Sequence, residues 1–325
     1  MSARDTIALI GNPVAGRRAL QNIGKAEELL SGQGAHVRVM LTSRRGDAER
    51  YAQQLTEERP LKVIVAGGDG TYNEVANGLA HSDIPMAILP LGTTSVLAHE
   101  IGLSVNLKEA VALALRGAPR RISLGRITFP AHKEPRSRHF LLMAGIGFDG
   151  ETCFGISTTL KKRVGKLAYI LSGFRVLLRY NPSLLHITGR GVSLIDQGVG
   201  IGEMNRRLRE LPSPRSLTFT GYALVAGKAA CYGGPQKITS HARLEEPALH
   251  VFVFHGRGRV ALTRLAVGIL LNRHLTFRDV SYLVAQDIEV TGSAHVQIDG
   301  DYAGVAPVMI EVVPDALSLI MDIQR

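Results

Sequence analysis

The sequence predicts an α/β N-terminal domain with a parallel sheet, followed by a C-terminal domain built as an antiparallel β-sandwich. The chain has 325 residues, a length typical of two domains. Its first third alternates strand and helix patterns, as in a parallel sheet covered by helices on both faces. After residues 119–125 strand patterns dominate, which favours a sandwich of antiparallel strands.

The N-terminal elements are predicted from short apolar runs and from helix patterns that end at glycine. Thr6–Ile10 is rich in strand-forming residues, and the helix pattern after it ends near Leu30, before two glycines. Leu61–Ala66 is an apolar run typical of a strand buried on both faces. The other predictions are strands at His36–Leu41 and Pro85–Leu89 and helices at Asp47–Glu58, Thr71–Leu79, Ser95–Ile101 and Leu107–Leu115.

The C-terminal half consists mainly of predicted strands, interrupted by two helix patterns at Leu160–Arg179 and Arg259–Leu271. We place the domain boundary near residues 118–128, which divides the chain into residues 1–122 and 123–325. The stretch Gly189–Arg215 lacks periodicity, and we expect a mobile loop there. The predicted strands are Phe140–Ala144, Leu217–Val225, Leu249–Phe254, Thr276–Ser281, Ile288–Thr291, Val308–Val313 and Leu317–Ile323.

Composition narrows the classes of function. The 38 Lys and Arg residues exceed the 28 Asp and Glu residues, a formal charge of +10, which favours an anionic partner. The chain has no Trp and few other aromatic residues, so a nucleic-acid partner is not expected. Cys153 and Cys231 are the only cysteines, which excludes a disulfide framework and a cysteine-based zinc site. With no apolar signal region and no membrane-spanning stretch, we expect a cytoplasmic location.

The most informative segment is Gly67-Gly68-Asp69-Gly70-Thr71, which joins a predicted buried strand to a predicted helix. Glycines allow the backbone to pass close to a bound group, and free N–H groups at the start of a helix bind phosphate. A tight turn without a ligand would use glycines too, but the acidic residue inside the string favours a phosphate-binding loop.

Two further loops follow predicted strands in the same way. Asn12-Pro13-Val14-Ala15-Gly16 follows the first strand, and Gly92-Thr93-Thr94-Ser95 follows the strand at 85–89. Ligands of open α/β sheets lie outside the carboxyl ends of the strands, so three such loops predict one nucleotide site. Thr42 and Arg45 end the second strand at the same edge, where Arg45 could bind phosphate or remain on a solvated loop. A dinucleotide-type Gly-x-Gly-x-x-Gly, a Gly-Lys-Ser/Thr loop and a His-Glu-x-x-His motif are absent.

Late in the chain, Asp299-Gly300-Asp301 separates two alternating apolar runs. By local rules Asp-Gly in this position is a hairpin turn. Two carboxylates two residues apart could also supply a base for a hydroxyl proton. Local spacing does not choose between the two.

Together these segments resemble the diacylglycerol kinase catalytic-domain family, which includes bacterial diacylglycerol-type lipid kinases, sphingosine kinases and ceramide kinases. The matching segments occur in the order of the family, over about residues 7–302. They are Asn12-Pro13…Gly16, Gly67-Gly68-Asp69-Gly70-Thr71…Asn73-Glu74, Leu91-Gly92-Thr93-Thr94, Ala144-Gly145-Ile146-Gly147-Phe148-Asp149 and Asp299-Gly300-Asp301.

The resemblance implies that the γ-phosphoryl group of ATP, bound with Mg²⁺, is transferred to a lipid hydroxyl. It implies a nucleotide-binding domain and a β-sandwich, with the active site in the cleft and the last segment returning toward the first domain. Asp299 would be the general base, with Asp301 beside it, and Asp69 would orient Mg-ATP or assist proton transfer. The lipid-binding residues would be Asp149, Gly147 and Lys166. The nucleotide-binding residues would be Asn12, Pro13, Gly16, Thr42, Arg45, Gly67, Gly68, Gly70, Thr71, Asn73, Glu74, Gly92, Thr93, Thr94 and Gly300.

Three positions depart from the family pattern. Asp301 replaces the usual Glu of the base motif, and Ser95 replaces an Asn. Relatives often have an Asp-Gly pair whose Asp helps to hold a structural Mg²⁺, where this chain has Glu246-Pro247. A Glu could still bind Mg²⁺ through oxygen, but Pro restricts the backbone. The departure therefore argues against a structural metal site at Glu246.

A basic run leads into an apolar helix pattern at Lys161–Leu171 and includes Lys166. Such a helix is typical of an interfacial membrane anchor. A helix that packs on the core and exposes its basic face to solvent would have the same sequence pattern. A similar segment in the resembling family favours the membrane. We therefore expect ATP, a membrane lipid acceptor and an anionic membrane surface as partners, with peripheral association at the inner face.

Two alternatives to an active lipid kinase remain. A pseudokinase that binds nucleotide or lipid without transfer would fit the three departures. An NAD kinase shares the Gly-Gly-Asp-Gly-Thr loop, but it gives no reason for the other two loops or for the basic helix. The sequence does not decide whether the acceptor is diacylglycerol, a sphingoid base or ceramide. The stretch Gly92–Glu100 resembles sphingoid-type relatives more than the diacylglycerol type. Whether the chain forms a homodimer is open too.

Overall fold

A computed structural model of the chain describes residues 6–92, 95–130, 134–154, 182–193 and 216–322. The chain forms two compact units. The N-terminal unit comprises Met1–Leu124, Gly233–Pro235 and Pro314–Arg325, and the C-terminal unit comprises Gly125–Tyr232 and Gln236–Val313. Within the described residues, no helix has the length and the apolar character needed to span a bilayer.

The N-terminal unit is built on parallel strands that lie in the order His36–Leu41, Thr6–Gly11, Lys62–Gly67 and Met86–Pro90. Leu9, Ile64 and Leu89 of three of these strands are buried in one core with residues of the covering helices. The first helix buries positions spaced three and four apart, which is the apolar stripe of a helix packed on a sheet. The strands are β1 (Thr6–Gly11), β2 (His36–Leu41), β3 (Lys62–Gly67) and β4 (Met86–Pro90), and the helices are α1 (Ala19–Ser31), α2 (Asp47–Glu58), α3 (Asp69–Leu79), α4 (Val96–Glu100) and α5 (Leu107–Arg116).

The C-terminal unit contains two antiparallel layers and one continuous core. The neighbouring strands of one layer are, in order, Val280–Ala285, Leu249–Phe254, Ala223–Gly227, Met143–Ile146, His295–Ile298 and Asp301–Val305. In the other layer, Asp287–Thr291 pairs with Leu185–Arg190 and with Val308–Met321. Leu224 and Val251 of the first layer lie in the same core cluster as Ile187 and Ile310 of the second. The elements are β5 (Ala118–Phe129), β6 (Arg136–Phe140), β7 (Met143–Ile146), α6 (Phe148–Phe154), β8 (Leu185–Arg190), β9 (Ser216–Gly221), β10 (Ala223–Gly227), β11 (Leu249–Phe254), α7 (Arg259–Leu270), a 3₁₀ turn (His274–Thr276), β12 (Val280–Ala285), β13 (Asp287–Thr291), β14 (His295–Ile298), β15 (Asp301–Val305) and β16 (Val308–Met321).

The predicted fold class is confirmed, because an α/β unit with a parallel sheet precedes an antiparallel sandwich. The last strand, β16, takes part in both units. Its start pairs antiparallel with β13, and Leu319 near its end lies beside Met86 of β4 in parallel. The chain therefore returns to the N-terminal sheet after completing the C-terminal layers.

Several predicted elements are wrong in detail. The strand predicted at Thr276–Ser281 is instead the end of a 3₁₀ turn followed by β12. The two strands predicted at the end are the single strand β16, and the one predicted at Leu217–Val225 is divided into β9 and β10. The region predicted as a boundary is strand β5, and the two compact units divide within that strand, between Leu124 and Gly125. We expected a loop at Gly189–Arg215, but β8 continues to Arg190, and residues 194–215 lie outside the described residues. The helix predicted at Leu160–Arg179 also lies outside the described residues.

Candidate active site

Three loops of the N-terminal unit meet at the carboxyl edge of its sheet. The Asn12 side-chain amide donates to the Thr71 hydroxyl over 3.1 Å, which joins the loop after β1 to the loop after β3. The backbone N–H groups of Leu91 and Gly92 donate to the Gly67 carbonyl at 2.9 and 3.1 Å, which joins the loop after β4 to β3. The hydrogen bonds therefore bring together the three segments that the sequence predicts as phosphate loops.

Glycine is required in these loops because their backbones approach closely. A Cβ on Gly16 would lie 2.6 Å from the Leu91 carbonyl oxygen, and a Cβ on Gly67 would lie 2.8 Å from Cβ of Thr71. Gly68 is the N-cap of α3, and the helix begins at Asp69, two residues earlier than predicted. Thr71 and Gly70 consequently lie in the first turn of α3, where the N–H of Thr71 donates to the Gly68 carbonyl over 2.9 Å.

The Asp69 carboxylate connects two of the loops. Its two oxygens accept the N–H groups of Val96 and Leu97 at 3.0 and 3.1 Å. The Ser95 hydroxyl accepts the N–H of Ala98 at the same helix start. A carboxylate at the N-terminus of a helix satisfies its unpaired donors. Asp69 therefore caps α4 and fixes the end of the loop that begins at Gly92.

The remaining predicted nucleotide residues take up defined places around these loops. Asn73 is buried on α3, whereas Glu74 is half-buried there, and Pro13 lies in the turn after β1. The N–H of Thr42 donates to the Gly11 carbonyl over 2.9 Å, which places the end of β2 beside the end of β1. Thr93 and Thr94 lie outside the described residues.

Arg45 lies in the turn between β2 and α2, and a buried aspartate fixes this turn. Asp47 accepts the N–H and the hydroxyl of Ser43, the N–H of Arg44 and the guanidinium of Arg50. These hydrogen bonds, those from Ser43 first, hold the pKa of Asp47 well below its usual range. The carboxylate thus stabilises the turn that presents Arg45.

Tyr72 is a residue of this site that the sequence reasoning missed. Its side chain is fully buried, and its hydroxyl lies 2.9 Å from the Gly67 carbonyl and 3.0 Å from the Leu89 carbonyl. Burial, with a smaller contribution from the Asp69 charge, raises the pKa of the phenol. The hydroxyl therefore binds the ends of β3 and β4 at the point where both loops begin. A tyrosine in an apolar helix face carries no sequence signal for such a contact.

In the C-terminal unit, Asp299 and Gly300 form the turn of the β14–β15 hairpin, with φ angles of 47° and 82°. The Asp299 carboxylate accepts three backbone N–H groups, from Leu141, Leu142 and Met143, each at 2.9 Å. The hairpin turn is therefore anchored to the segment before β7. Asp301 is the first residue of β15 and is half-buried. Both interpretations of this motif stay compatible, since the turn also holds a carboxylate in a fixed position.

Asp149 lies in α6 and is linked to the same hairpin. The amide of Gln297 donates to its carboxylate over 2.5 Å, and the Tyr232 hydroxyl donates to it as well. The other end of the Gln297 amide accepts the N–H of Gly300 over 2.7 Å. Burial raises the pKa of Asp149, while the two donors act in the opposite direction. Gln297 thus connects the predicted lipid-contacting aspartate to the predicted catalytic turn, a contact that the sequence does not indicate.

Two glycines shape this region. Gly145 has no room for a Cβ beside the Asp149 carboxylate, and Gly147 has a φ of 91°, which favours glycine. Lys166 lies outside the described residues, together with the basic segment 161–171.

Glu246 lies at the position where the sequence departs from a structural metal site. The Glu246 carboxylate lies 2.8 Å from Nε2 of His250, whose pKa is lowered mainly by burial. Within the described ranges there is no group of three or more His, Cys, Asp or Glu side chains that could hold an ion. The sequence reasoning also missed Lys228, a fully buried lysine beside Glu246. Burial lowers the pKa of Lys228 to about 8.

Two family models match the chain. The model of the diacylglycerol kinase catalytic domain matches residues 6–127. The model of the YegS C-terminal NAD kinase beta sandwich-like domain matches residues 145–321. The first contains the three loops around Gly67, and the second contains Asp149 and Asp299.

Curated relatives extend the match over nearly the whole chain. A diacylglycerol kinase of Bacillus subtilis (strain 168) is 25% identical over 305 residues, which cover 92% of this chain and 90% of the relative. A protein of Pseudomonas fluorescens (strain Pf-5), named "Probable lipid kinase YegS-like", is 30% identical over 236 residues, or 65% of this chain and 76% of the relative.

Solved structures share the fold. The crystal structure of a diacylglycerol kinase from Bacillus anthracis str. Sterne superposes with a TM-score of 0.72 at 22% identity and covers 98% of both chains. Yeast NADH kinase complexed with NADH has a TM-score of 0.53 at 10% identity, covering 98% of this chain and 84% of the kinase chain. That distant likeness shows a common fold and lends no support to an NAD kinase.

The loops at the carboxyl edge of the parallel sheet, the sandwich that follows, and the matches to both domains agree on one assignment. The chain belongs to the diacylglycerol kinase catalytic-domain family and is an ATP-dependent lipid kinase.

Proposed function

We propose that this kinase transfers the γ-phosphoryl group of Mg-ATP to the hydroxyl of a membrane lipid, with diacylglycerol as the first acceptor to test and sphingoid bases and ceramide as the others. The observation that carries the proposal is that hydrogen bonds join the three loops. The Asn12 amide donates to the Thr71 hydroxyl, and the Gly92 N–H donates to the Gly67 carbonyl. The names of the relatives favour diacylglycerol.

At the proposed nucleotide site, the three loops offer mainly backbone N–H donors and few charged side chains. Phosphoryl transfer passes through a loose transition state, so catalysis depends on positioning and on neutralising charge. The first turn of α3 supplies N–H groups for phosphate, and Asn12 and Thr71 hold the neighbouring loops in register. Asp69 secures the third loop through α4 and would orient Mg-ATP from that position. Mg²⁺ would neutralise phosphate charge when bound with ATP.

At the acceptor end, we assign the role of general base to Asp299. Three backbone N–H groups fix its carboxylate and stabilise its negative charge. A base held in this way accepts a proton weakly, but a loose transition state needs the hydroxyl proton to be removed late. Its main contribution would be to orient the hydroxyl. Asp149, linked through Gln297 to the same turn, would contact the polar head of the lipid.

Membrane association is supported by helix α7, which lies within the described residues. Val260, Leu270 and Leu271 on and directly after this helix are 86%, 69% and 64% exposed. The segment 255–279 contains one acidic residue, Asp279, which pairs with Arg264. Its five exposed arginines are Arg257, Arg259, Arg264, Arg273 and Arg278. Exposed apolar side chains flanked by cations suit an anionic lipid surface.

The test of the proposed reaction is transfer from ATP labelled at its γ-phosphate to a panel of lipids in mixed micelles with Mg²⁺. Wild type should phosphorylate one acceptor class, and Asp299→Asn should lose a factor of about 10²–10⁴ in rate. The matched control is Asp315→Asn, because Asp315 is exposed and shares the φ of 47° found at Asp299. ATP binding and melting temperature are measured for every variant.

Two results would overturn parts of the proposal. ATP binding without transfer to any lipid would favour a pseudokinase. Transfer that survives in a well-folded Asp299→Asn protein would remove Asp299 as the base and leave the lipid kinase itself intact.

A further inference from the structure

Lys228 is the largest charged side chain buried in the C-terminal unit's described residues, and it has no exposed surface. It follows β10 directly, and its amine points at a loop about twenty residues later in the chain. The amine donates to the carbonyl oxygens of Ala248 at 2.9 Å, of Arg243 at 3.4 Å and of Glu246. A lysine ammonium has three N–H donors, so three carbonyl oxygens match its full capacity.

The backbone of Lys228 is tied to the segment that holds Asp299. The N–H groups of Lys228 and Ala229 donate to the Leu142 carbonyl at 2.7 and 3.1 Å. The N–H of Leu142 in turn donates to the Asp299 carboxylate. The side chain of Lys228 therefore connects the 243–248 loop to the backbone immediately behind the proposed base.

The residues around this loop do not fit a divalent ion. Converging carbonyl oxygens are hard ligands of the kind that Mg²⁺ and Ca²⁺ prefer, but here an ammonium nitrogen lies among them. The loop itself carries two acidic residues, Glu245 and Glu246, and the Glu246 carboxylate bonds to His250 at 2.8 Å. The described residues contain no cluster of acidic or imidazole side chains that would supply the missing ligands.

We propose that the Lys228 ammonium is a built-in cation that takes the place of a structural divalent ion between the carbonyls of Arg243, Glu246 and Ala248. The positive charge and the three donors are covalently part of the chain. The C-terminal unit consequently keeps its 243–248 loop in place without a bound metal, and Mg²⁺ is needed by this protein only together with ATP. This inference does not depend on which lipid is phosphorylated.

The first experiment uses wild-type protein without nucleotide. Metal content is measured by mass spectrometry after treatment with a chelator, and thermal unfolding is followed in EDTA and in excess MgCl₂. We expect less than one divalent ion per chain and the same melting temperature in both solutions. A tightly held ion in each chain, or a melting temperature that falls in EDTA and returns with MgCl₂, would overturn the proposal. The wild-type result decides even where a variant fails to fold.

The second experiment removes the cation. Lys228→Met keeps the length of the side chain but removes the amine from three carbonyls, of which that of Arg243 keeps the N–H of Glu246 as a donor, so the melting temperature should fall on the order of 5–10 °C. The matched control is Lys62→Met, because Lys62 also donates to two carbonyls, those of Ala114 and Leu115, but is half-buried. Lys228→Gly should recover part of its lost melting temperature with ethylammonium ions. An unchanged melting temperature in Lys228→Met would show that the amine does not hold the loop.

Discussion

The hydroxyl of Tyr72 is one oxygen atom on which the geometry of the nucleotide loops depends. It lies within hydrogen-bond distance of the Gly67 carbonyl at the end of β3 and of the Leu89 carbonyl one residue before the end of β4, in a fully buried position. The Gly67 carbonyl also accepts the N–H groups of Leu91 and Gly92, so the hydroxyl adds a buried hydrogen bond where the two loops meet. The hydroxyl therefore reinforces the pairing of β3 with β4 at the point where the loops at Gly67 and Gly92 start.

Tyr72→Phe tests this role. We expect the free energy of unfolding to fall by about 1–3 kcal/mol, because a buried hydrogen bond is lost. We also expect weaker ATP binding, because the two strand ends are no longer held at one distance. Thermal unfolding and calorimetric ATP titration check the two effects. Tyr51→Phe is the control, since its hydroxyl bonds to Leu41 on the exposed surface, and a variant Tyr72→Phe with ATP affinity equal to that of Tyr51→Phe would refute the positioning role.

Gln297 has a comparable role at the acceptor end, where its amide joins Asp149 to the N–H of Gly300. Gln297→Met keeps the volume and removes both bonds. We expect the rate of lipid phosphorylation to fall at least about tenfold, because a small displacement of a reacting group is costly. ATP binding should stay unchanged, because Gln297 belongs to the C-terminal unit.

Gln286→Met is the control for Gln297→Met, because Gln286 is exposed in the same unit. The measurements are the separate kcat and KM for lipid and for ATP. Equal loss of ATP binding and of lipid phosphorylation would indicate a general loss of folding in Gln297→Met and would contradict the assignment.

At the scale of elements, the sequence was most informative where local and tertiary forces agree. Strand β3 is an apolar run because it is buried on both faces, and α2 follows its predicted bounds because its amphipathic pattern matches its burial. The prediction failed at residues 276–281, where strand-forming residues are overridden by a 3₁₀ turn packed around the buried His274. Short helix α6 was missed, because seven residues give too little periodicity to recognise.

In the candidate site, too, local features could be predicted from the sequence, whereas contacts between distant residues could not. The glycine loops are visible in the sequence, since close backbone approach restricts residue choice at Gly16 and Gly67. The contacts of Tyr72, Gln297 and Lys228 join residues far apart in the chain. No local pattern requires them, and they could be found only from the folded structure.

Helix α7 supports an element-scale prediction about the membrane. A triple variant, Val260→Ser, Leu270→Ser and Leu271→Ser, removes exposed apolar side chains without touching the core. We expect binding to vesicles that contain phosphatidylglycerol to weaken at least about tenfold, since each buried methylene contributes about 0.8 kcal/mol. Co-sedimentation with vesicles measures this, and phosphorylation of a short-chain, water-soluble acceptor should be unchanged.

Two controls make the vesicle experiment decisive. Leu20→Ser removes an exposed leucine of α1 in the N-terminal unit and should leave vesicle binding unchanged. Uncharged phosphatidylcholine vesicles should bind the wild type more weakly, because the arginines of the α7 segment then have no anionic partner. Full vesicle binding by the triple variant, or a shift of its mass from dimer to monomer in sedimentation, would show that this face binds something other than a membrane.

For the whole molecule, the proposed nucleotide and acceptor residues lie in different units, so loss of ATP binding can be distinguished from loss of lipid phosphorylation. The loops around Gly67 lie in the N-terminal unit, and Asp149, Gln297 and Asp299 lie in the C-terminal unit. Variants of the first group should therefore change ATP binding, whereas variants of the second should change phosphorylation with ATP binding retained. The comparison distinguishes a pseudokinase, which keeps the first property, from an unfolded protein, which loses both.

The pH dependence of stability belongs to the whole molecule as well, because three histidines of the C-terminal unit act together. Burial lowers the pKa of His250, His255 and His274 below the ordinary value of 6.5. In the unfolded chain these side chains take up protons near pH 6.5, whereas in the folded chain they stay neutral to lower pH. The unfolded state then binds more protons, so the free energy of unfolding falls as the pH drops below about 6.5.

We therefore expect the melting temperature to decline steadily from about pH 7 to about pH 5. Calorimetry at constant ionic strength measures it. His274→Gln should flatten this decline, because Gln can keep the donor that Nε2 offers to the Ile238 carbonyl but does not titrate. His36→Gln, a surface control on β2, should leave the decline unchanged. A melting temperature that rises toward pH 5 would mean that these histidines gain protons on folding, and it would contradict their burial as neutral side chains.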